Sequence, residues 1–167
     1  VGEKHIQDIG GRFLVFRTSW VYNEDHKNFL TTMIRLGQER EHLTVVSDQV
    51  GSPTYAWNLA DATLQVLFKA LKQREFPSGI YHMTNQGYVS WFGFAEMIFS
   101  ELQKMEVSLK LKTLEPVSSE EFKTVAVRPH NSRLDGQRLQ QIFGVQLPPW
   151  QDGVRSCLER WYEKNRT

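Results

Sequence analysis

Two periods of apolar spacing run along this chain. Phe13 to Arg17, FLVFR, is a short apolar run after Gly10 and Gly11, and it predicts a buried strand. Leu43 to Asp48, LTVVSD, and Gly79 to Thr84, GIYHMT, predict two more strands. Leu109 to Val117 alternates apolar and charged positions, as a half-exposed strand does. Between these runs the period lengthens to that of a helix. Asn28 can cap a helix over Phe29 to Gly37 with Phe29, Met33 and Leu36 inward. A longer helix opens at Trp57 or Asn58, with Leu59, Thr63, Val66, Leu67, Ala70 and Leu71 as its stripe. Ser90 caps a helix whose face holds Trp91, Phe94, Ala95, Ile98, Phe99 and Leu102. SSEEFKT, from Ser118, predicts one helical turn, and Asp135 caps a short helix that Gly144 ends. Pro148 and Pro149 start a last helix with Trp150, Val154, Cys157, Leu158 and Trp161 on one side.

Strands alternating with helices predict an α/β fold with parallel crossovers. The 167 residues are enough for one domain with a real core. A net charge of +1 gives no field that favours nucleic acid or an anionic membrane, so neither is expected as a partner. No apolar run reaches the roughly 20 residues of a membrane helix. The single cysteine, Cys157, allows no internal disulfide, which predicts a reducing, cytoplasmic home. The opening GEKHIQDIG reads as the back of a helix already under way, so the expectation is a piece of a longer polypeptide.

Common chemical motifs are missing. The chain has no G-x-G-x-x-G, no phosphate loop and no G-x-S-x-G. The histidines, His5, His26, His42, His82 and His130, stand apart with no metal-ligand spacing, so no metal is expected. A tyrosine followed four residues later by lysine would form a proton-donating pair on one helix face. No tyrosine here is followed by that lysine.

Three stretches are too particular for scaffolding: RTSWVY from Arg17, DQVGSPTYAWNLA from Asp48 and RPHNSRL from Arg128. With VGEKHIQ, NFLTTMIRLGQER, GIYHMTNQGYVSW and LPPWQDGV they occur in the order found in one family. The chain resembles the C-terminal half of the dTDP-4-dehydrorhamnose reductases, which are extended short-chain dehydrogenase/reductases. The resemblance implies the last strands of a Rossmann-like parallel sheet plus a small substrate-binding α/β subdomain. It implies reduction of the 4-keto group of dTDP-4-dehydro-L-rhamnose by NADPH or NADH. The cofactor, the catalytic tyrosine and the lysine would belong to an N-terminal half absent here, and the fragment alone would be inactive. A non-catalytic methionine adenosyltransferase subunit and an epimerase or dehydratase of another nucleotide sugar are alternatives on the same fold. A homodimer, or association through the face left open, is a further expectation.

The same resemblance implies that Trp20 contacts the sugar, since an indole offers a flat face to the C–H side of a deoxysugar. The alternative is a core tryptophan at a strand end. Arg17 is either a surface charge or a polar tether near the site. Gln49 and Thr54 either meet the nucleotide sugar or brace its pocket. Arg128 either pairs with a diphosphate or ties the last helices to the sheet. Trp57 stands where some relatives carry an acidic residue, which argues against a metal there. Trp91, Trp150 and Trp161 are expected in the core.

Overall fold

A computed structural model describes residues 1–122 and 128–166. The chain opens with α1 (Gly2–Ile9), then β1 (Leu14–Arg17) and β2 (Val21–Tyr22). Next come α2 (Phe29–Glu39), β3 (His42–Val46), β4 (Val50–Gly51), β5 (Thr54–Tyr55) and α3 (Ala56–Lys72). Then follow β6 (Gly79–His82), β7 (Val89–Ser90), α4 (Trp91–Lys104), β8 (Thr113–Val117), α5 (Gln137–Phe143) and α6 (Trp150–Asn165).

Three strand pairs are parallel, as the α/β pattern requires. β1 pairs with β6 from Leu14↔Gly79 to Arg17↔His82. β3 pairs with β8 from His42↔Thr113 to Val46↔Val117, and β2 pairs with β5. The fourth pair, β4 with β7, is antiparallel. Neither β2, β4, β5 nor β7 is legible in the sequence, because each is two residues long and cannot establish an alternation.

Two apolar clusters result. The larger joins α2, α4 and α6 to β3 through Leu30, Ile34, Leu43, Val45, Phe94, Ile98, Leu102, Val154 and Leu158. The smaller packs α3 and α5 on β6 through Ala62, Val66, Ala70, Tyr81, Met83, Leu139 and Phe143. Asn85 stitches the two together. It is 1% exposed, its Oδ1 accepts from the Tyr55 amide at 3.0 Å, and its Nδ2 donates to the Pro148 carbonyl at 2.8 Å. The first bond satisfies the Tyr55 amide at the entrance of α3, and the second adds to the bond that the Pro148 carbonyl also accepts from the Gln86 amide at 3.0 Å.

Helix ends follow local chemistry. Asn28 and Thr31 form a reciprocal capping box at α2. Ser90 Oγ accepts from the Gly93 amide at α4. Gly144, at φ 57°, ends α5 in the left-handed conformation that glycine adopts without steric cost. Asp135 stands one residue further out than expected: Gly136 is the cap of α5, and Asp135 accepts from the Gln137 amide.

Two helical faces differ from expectation. On α2 the buried residues are Leu30, Met33, Ile34 and Gly37, so Phe29 and Leu36 lie at the margin. On α3 the inward face is Ala62, Val66 and Ala70, while Leu67 and Leu71 are exposed. Both faces of α3 are apolar, so periodicity alone permits either. The face that turns inward is the one that packs with Tyr81, Met83, Leu139 and Phe143 in the smaller cluster. Only Thr113 to Val117 of the predicted strand from Leu109 is a ladder. Lys110 and Leu111 instead donate backbone bonds to the Gly37 carbonyl, and Leu109 and Leu111 pack on the larger cluster. The SSEEFKT turn falls partly outside the described residues.

Candidate substrate cleft

A cleft of about 800 Å³ opens between α2, β3 and the segment that follows β8. Two capped helix starts define one wall. Asn28 and Ser90 place aromatic residues at the first helical position, Phe29 on α2 and Trp91 on α4. Their rings are 4.6 Å apart and tilted at 45°. Leu36, Met33, Leu43, Val45 and Val46 continue an apolar lining, and Phe122 faces it from the segment after β8.

Cations ring this lining. Lys27, Arg40 and Arg128 contribute to the cleft, and among the described residues its lining contains no Asp or Glu. A net charge of +1 over the whole chain therefore hides a local excess of positive charge. Apolar walls strengthen the field such cations exert.

Trp20 lies one ring behind. Its indole stacks on Trp91 at 3.6 Å between centroids and 11° between planes. Its backbone is left-handed, φ 48°, which costs a non-glycine residue on the order of 1 kcal/mol. That conformation is held by surrounding contacts. The Trp20 carbonyl accepts from the Thr54 amide at 3.1 Å, and Ser19 Oγ donates to the Ser52 carbonyl at 3.1 Å. Gly51 lies against the other side of the ring, where an added Cβ would come 2.6 Å from Trp20 Cε2. The GSPT loop therefore works by close approach: glycine admits the indole, and the indole supports Trp91.

The five residues singled out by sequence take different places. Gln49 and Arg128 line the cleft, and Trp20 backs it. Thr54 is fully buried, with Oγ1 donating to the Ser52 carbonyl at 3.3 Å, so it braces the loop. Arg17 is exposed at the end of β1, where Glu3 of α1 accepts from its Nε at 2.8 Å and its Nη2 at 2.5 Å. Sequence reasoning assigned Trp91 and Phe29 to inward helix stripes, where both pack on the larger cluster, and passed over Lys27, Arg40 and Phe122. For the two aromatics a signal existed: each directly follows a capping residue, and a side chain at the first turn faces a helix end as much as a helix side.

The loop Asp48–Gln49 holds the far wall. Asp48 Oδ1 accepts from Ser119 Oγ at 2.6 Å and Oδ2 from the Ser119 amide at 3.0 Å. These bonds, the hydroxyl's first, hold the Asp48 carboxyl below the usual carboxylate range. Elsewhere, burial pushes the phenols of Tyr22 and Tyr55 and the thiol of Cys157 upward, so all three stay protonated near neutrality. Among the described residues no cluster of His, Cys, Asp or Glu could hold a metal, and no helix is long and apolar enough to cross a membrane.

Residues 1–163 match the model of the RmlD substrate binding domain. The chain belongs to that family. It is 42% identical over 161 residues to the dTDP-4-dehydrorhamnose reductase of Escherichia coli K12, covering 96% of this chain and 54% of that protein. It is 39% identical over 163 residues to the reductase of Burkholderia thailandensis, covering 95% and 55%. The crystal structure of the Bacillus anthracis reductase in complex with NADP superposes with a TM-score of 0.83 at 36% identity, over 95% of this chain and 52% of that one. This RmlD-family chain thus spans about half the length of its curated relatives, their C-terminal half, and has the α/β fold of the corresponding part of extended short-chain dehydrogenases. These relatives lend no support to the non-catalytic alternative. Neither a glycine-rich fingerprint nor a Tyr-x-x-x-Lys pair occurs in the sequence.

Replacing Gly51 by alanine puts a methyl group into the Trp20 ring, which cannot retreat because Trp91 lies behind it. Such overpacking costs about 1–3 kcal/mol. Urea unfolding of Gly51→Ala is expected to show that loss, and an unchanged midpoint would mean the indole is free to move.

Proposed function

We propose that this chain is the substrate-binding part of a longer reductase that reduces the 4-keto group of dTDP-4-dehydro-L-rhamnose to give dTDP-L-rhamnose. One observation carries the reading: an aromatic-walled cleft with three Lys or Arg side chains and, among the described residues, no carboxylate, in a chain whose relatives include these reductases. A nucleoside diphosphate sugar matches that composition. Its diphosphate suits Arg128, Lys27 and Arg40 through charge-assisted bonds. Its base and deoxysugar offer flat or apolar faces to Phe29, Phe122 and Trp91. Trp20 supports Trp91 from behind, and Gln49 supplies a polar contact in the lining. Thr54 and Arg17 serve as braces, one for the GSPT loop and one for α1.

In this proposal a nicotinamide cofactor, NADPH or NADH, is held by the polypeptide half this chain does not contain, and it supplies hydride when bound. What this chain does is bind and orient: it fixes the leaving geometry of nothing, but fixes where the carbonyl of the sugar lies. Holding a reactant in one pose accounts for a large share of such a rate enhancement. The setting is a cytoplasmic pathway for a cell-surface polysaccharide.

The same proposal includes self-association. Leu64, Leu67, Phe68 and Leu71 are 54, 40, 62 and 58% exposed and recur at helical spacing on the outer face of α3. An apolar stripe of this kind marks an interface, and a second copy of the chain fits it.

Calorimetric titration with dTDP is expected to show binding, and Arg128→Ala to weaken it roughly 10-fold by removing a charge-assisted bond. The chain alone should not oxidise NADPH in the presence of the keto sugar. Turnover by the isolated chain, or no affinity for dTDP, would contradict the assignment. Sedimentation equilibrium should give a mass above that of the monomer, and Phe68→Glu should return it to the monomer value; a monomeric parent chain would remove the interface.

A further inference from the structure

Gln49 is 8% exposed, lines the cleft, and directs its Nε2 at Ser119 Oγ, 2.8 Å away. The Ser119 hydroxyl in turn lies 2.6 Å from Asp48 Oδ1. Proton counting fixes the polarity of this chain of bonds. A hydroxyl has one proton to give, and an ionised carboxylate can only accept. Asp48 is ionised near neutrality, since Ser119 already holds its carboxyl low. The Ser119 proton therefore goes to Asp48, and its oxygen is left to accept from Gln49. Gln49 must donate to Ser119, so its amide cannot turn over without losing that bond. The ring Nδ1 of His130 lies 3.3 Å from the Asp48 backbone carbonyl and, at 3.7 Å from Oδ2, leaves the carboxylate to Ser119.

We propose that Gln49 offers its carbonyl oxygen to the cleft as a fixed hydrogen-bond acceptor, oriented by Asp48 through Ser119, so that the ligand group meeting it is an N–H or O–H donor. Among the described residues the hydrogen bond of the Gln49 side chain is the one its Nε2 donates to Ser119 Oγ. Buried polar chains of this kind polarise one another, which makes the orientation sharper than one bond would. The inference rests on the cleft being a nucleotide-sugar site. It adds a specificity rule to it: a ligand presenting a second acceptor here is rejected, because two facing acceptors leave both unpaired. Gln49 is the contact, and Asp48 and Ser119 are positioning residues.

Asp48→Asn tests this directly. Asparagine keeps the size and an acceptor for the Ser119 amide, but puts an NH2 donor against Ser119 Oγ. The hydroxyl proton, no longer taken by residue 48, is then free to turn to Gln49, which releases the amide to flip and present a donor to the cleft. Affinity for dTDP should fall roughly 10-fold or more while the unfolding midpoint moves little. Gln49→Met should fall similarly, and the two losses should not add in the double variant. Comparing dTDP with its N3-methyl analogue separates the two donors dTDP carries: an imide N–H contact is lost on methylation, a ribose hydroxyl contact is not. Unchanged dTDP binding by Asp48→Asn, or additive losses, overturns the proposal. Failure of the parent chain to bind dTDP overturns the nucleotide-sugar reading itself. The orientation is then still read from the side-chain amide protons of Gln49 by nitrogen-15 NMR: one is shifted by its bond to Ser119 in the parent chain and released in Asp48→Asn, and identical spectra would refute it.

Discussion

The candidate site depends on an indole resting against bare backbone. Trp20 occupies a left-handed conformation, lies on Gly51 and carries Trp91 on its other face. Remove the glycine and the ring is pushed; remove the ring and Trp91 loses its support. The two-residue pairings of β2 with β5 and β4 with β7 are the frame that brings these loops together. Strands so short gain little from their own bonds. They persist because Tyr22, Tyr55 and Trp20 pack around them. Backbone strain at one residue is thus offset by packing at several, a pattern common where a fold commits a side chain to a ligand.

Much of the fold was legible in the chain. The apolar run at β1, the caps at Asn28 and Ser90, the stripe of α4 and the diproline start of α6 each specify their element by local chemistry. What was not legible depends on distance in sequence. Which face of α3 turns inward is decided by β6 and α5, because its two apolar faces compete. The short strands are created by loops meeting, and no window of two residues can announce them.

The site shows the same division. Ordered motifs, RTSWVY, DQVGSPT and RPHNSRL, placed the chain in its family, and two of the residues drawn from them, Gln49 and Arg128, line the cleft. Periodicity placed Trp91 against the core, where it packs, but could not show that its other side opens on a cleft, since a first-turn aromatic on a helix stripe looks like any core residue. Charge behaved similarly. Lys27 and Arg40 have carboxylates close by in sequence, Asp25, Glu39 and Glu41, and Arg128 is far along the chain, so only the fold reveals that the three cations share one cavity.

The account's central claim is that a dTDP sugar lies against the Trp91 wall with Trp20 behind it. The most direct measurement follows the five indole N–H resonances, from Trp20, Trp57, Trp91, Trp150 and Trp161, during titration with dTDP. The largest shift is expected at Trp91, a smaller one relayed to Trp20, and none at Trp57 of α3 or Trp161 of α6, which lie outside the cleft lining. Shifts confined to Trp57 and Trp161, or no shift at Trp91 under saturating ligand, would contradict it.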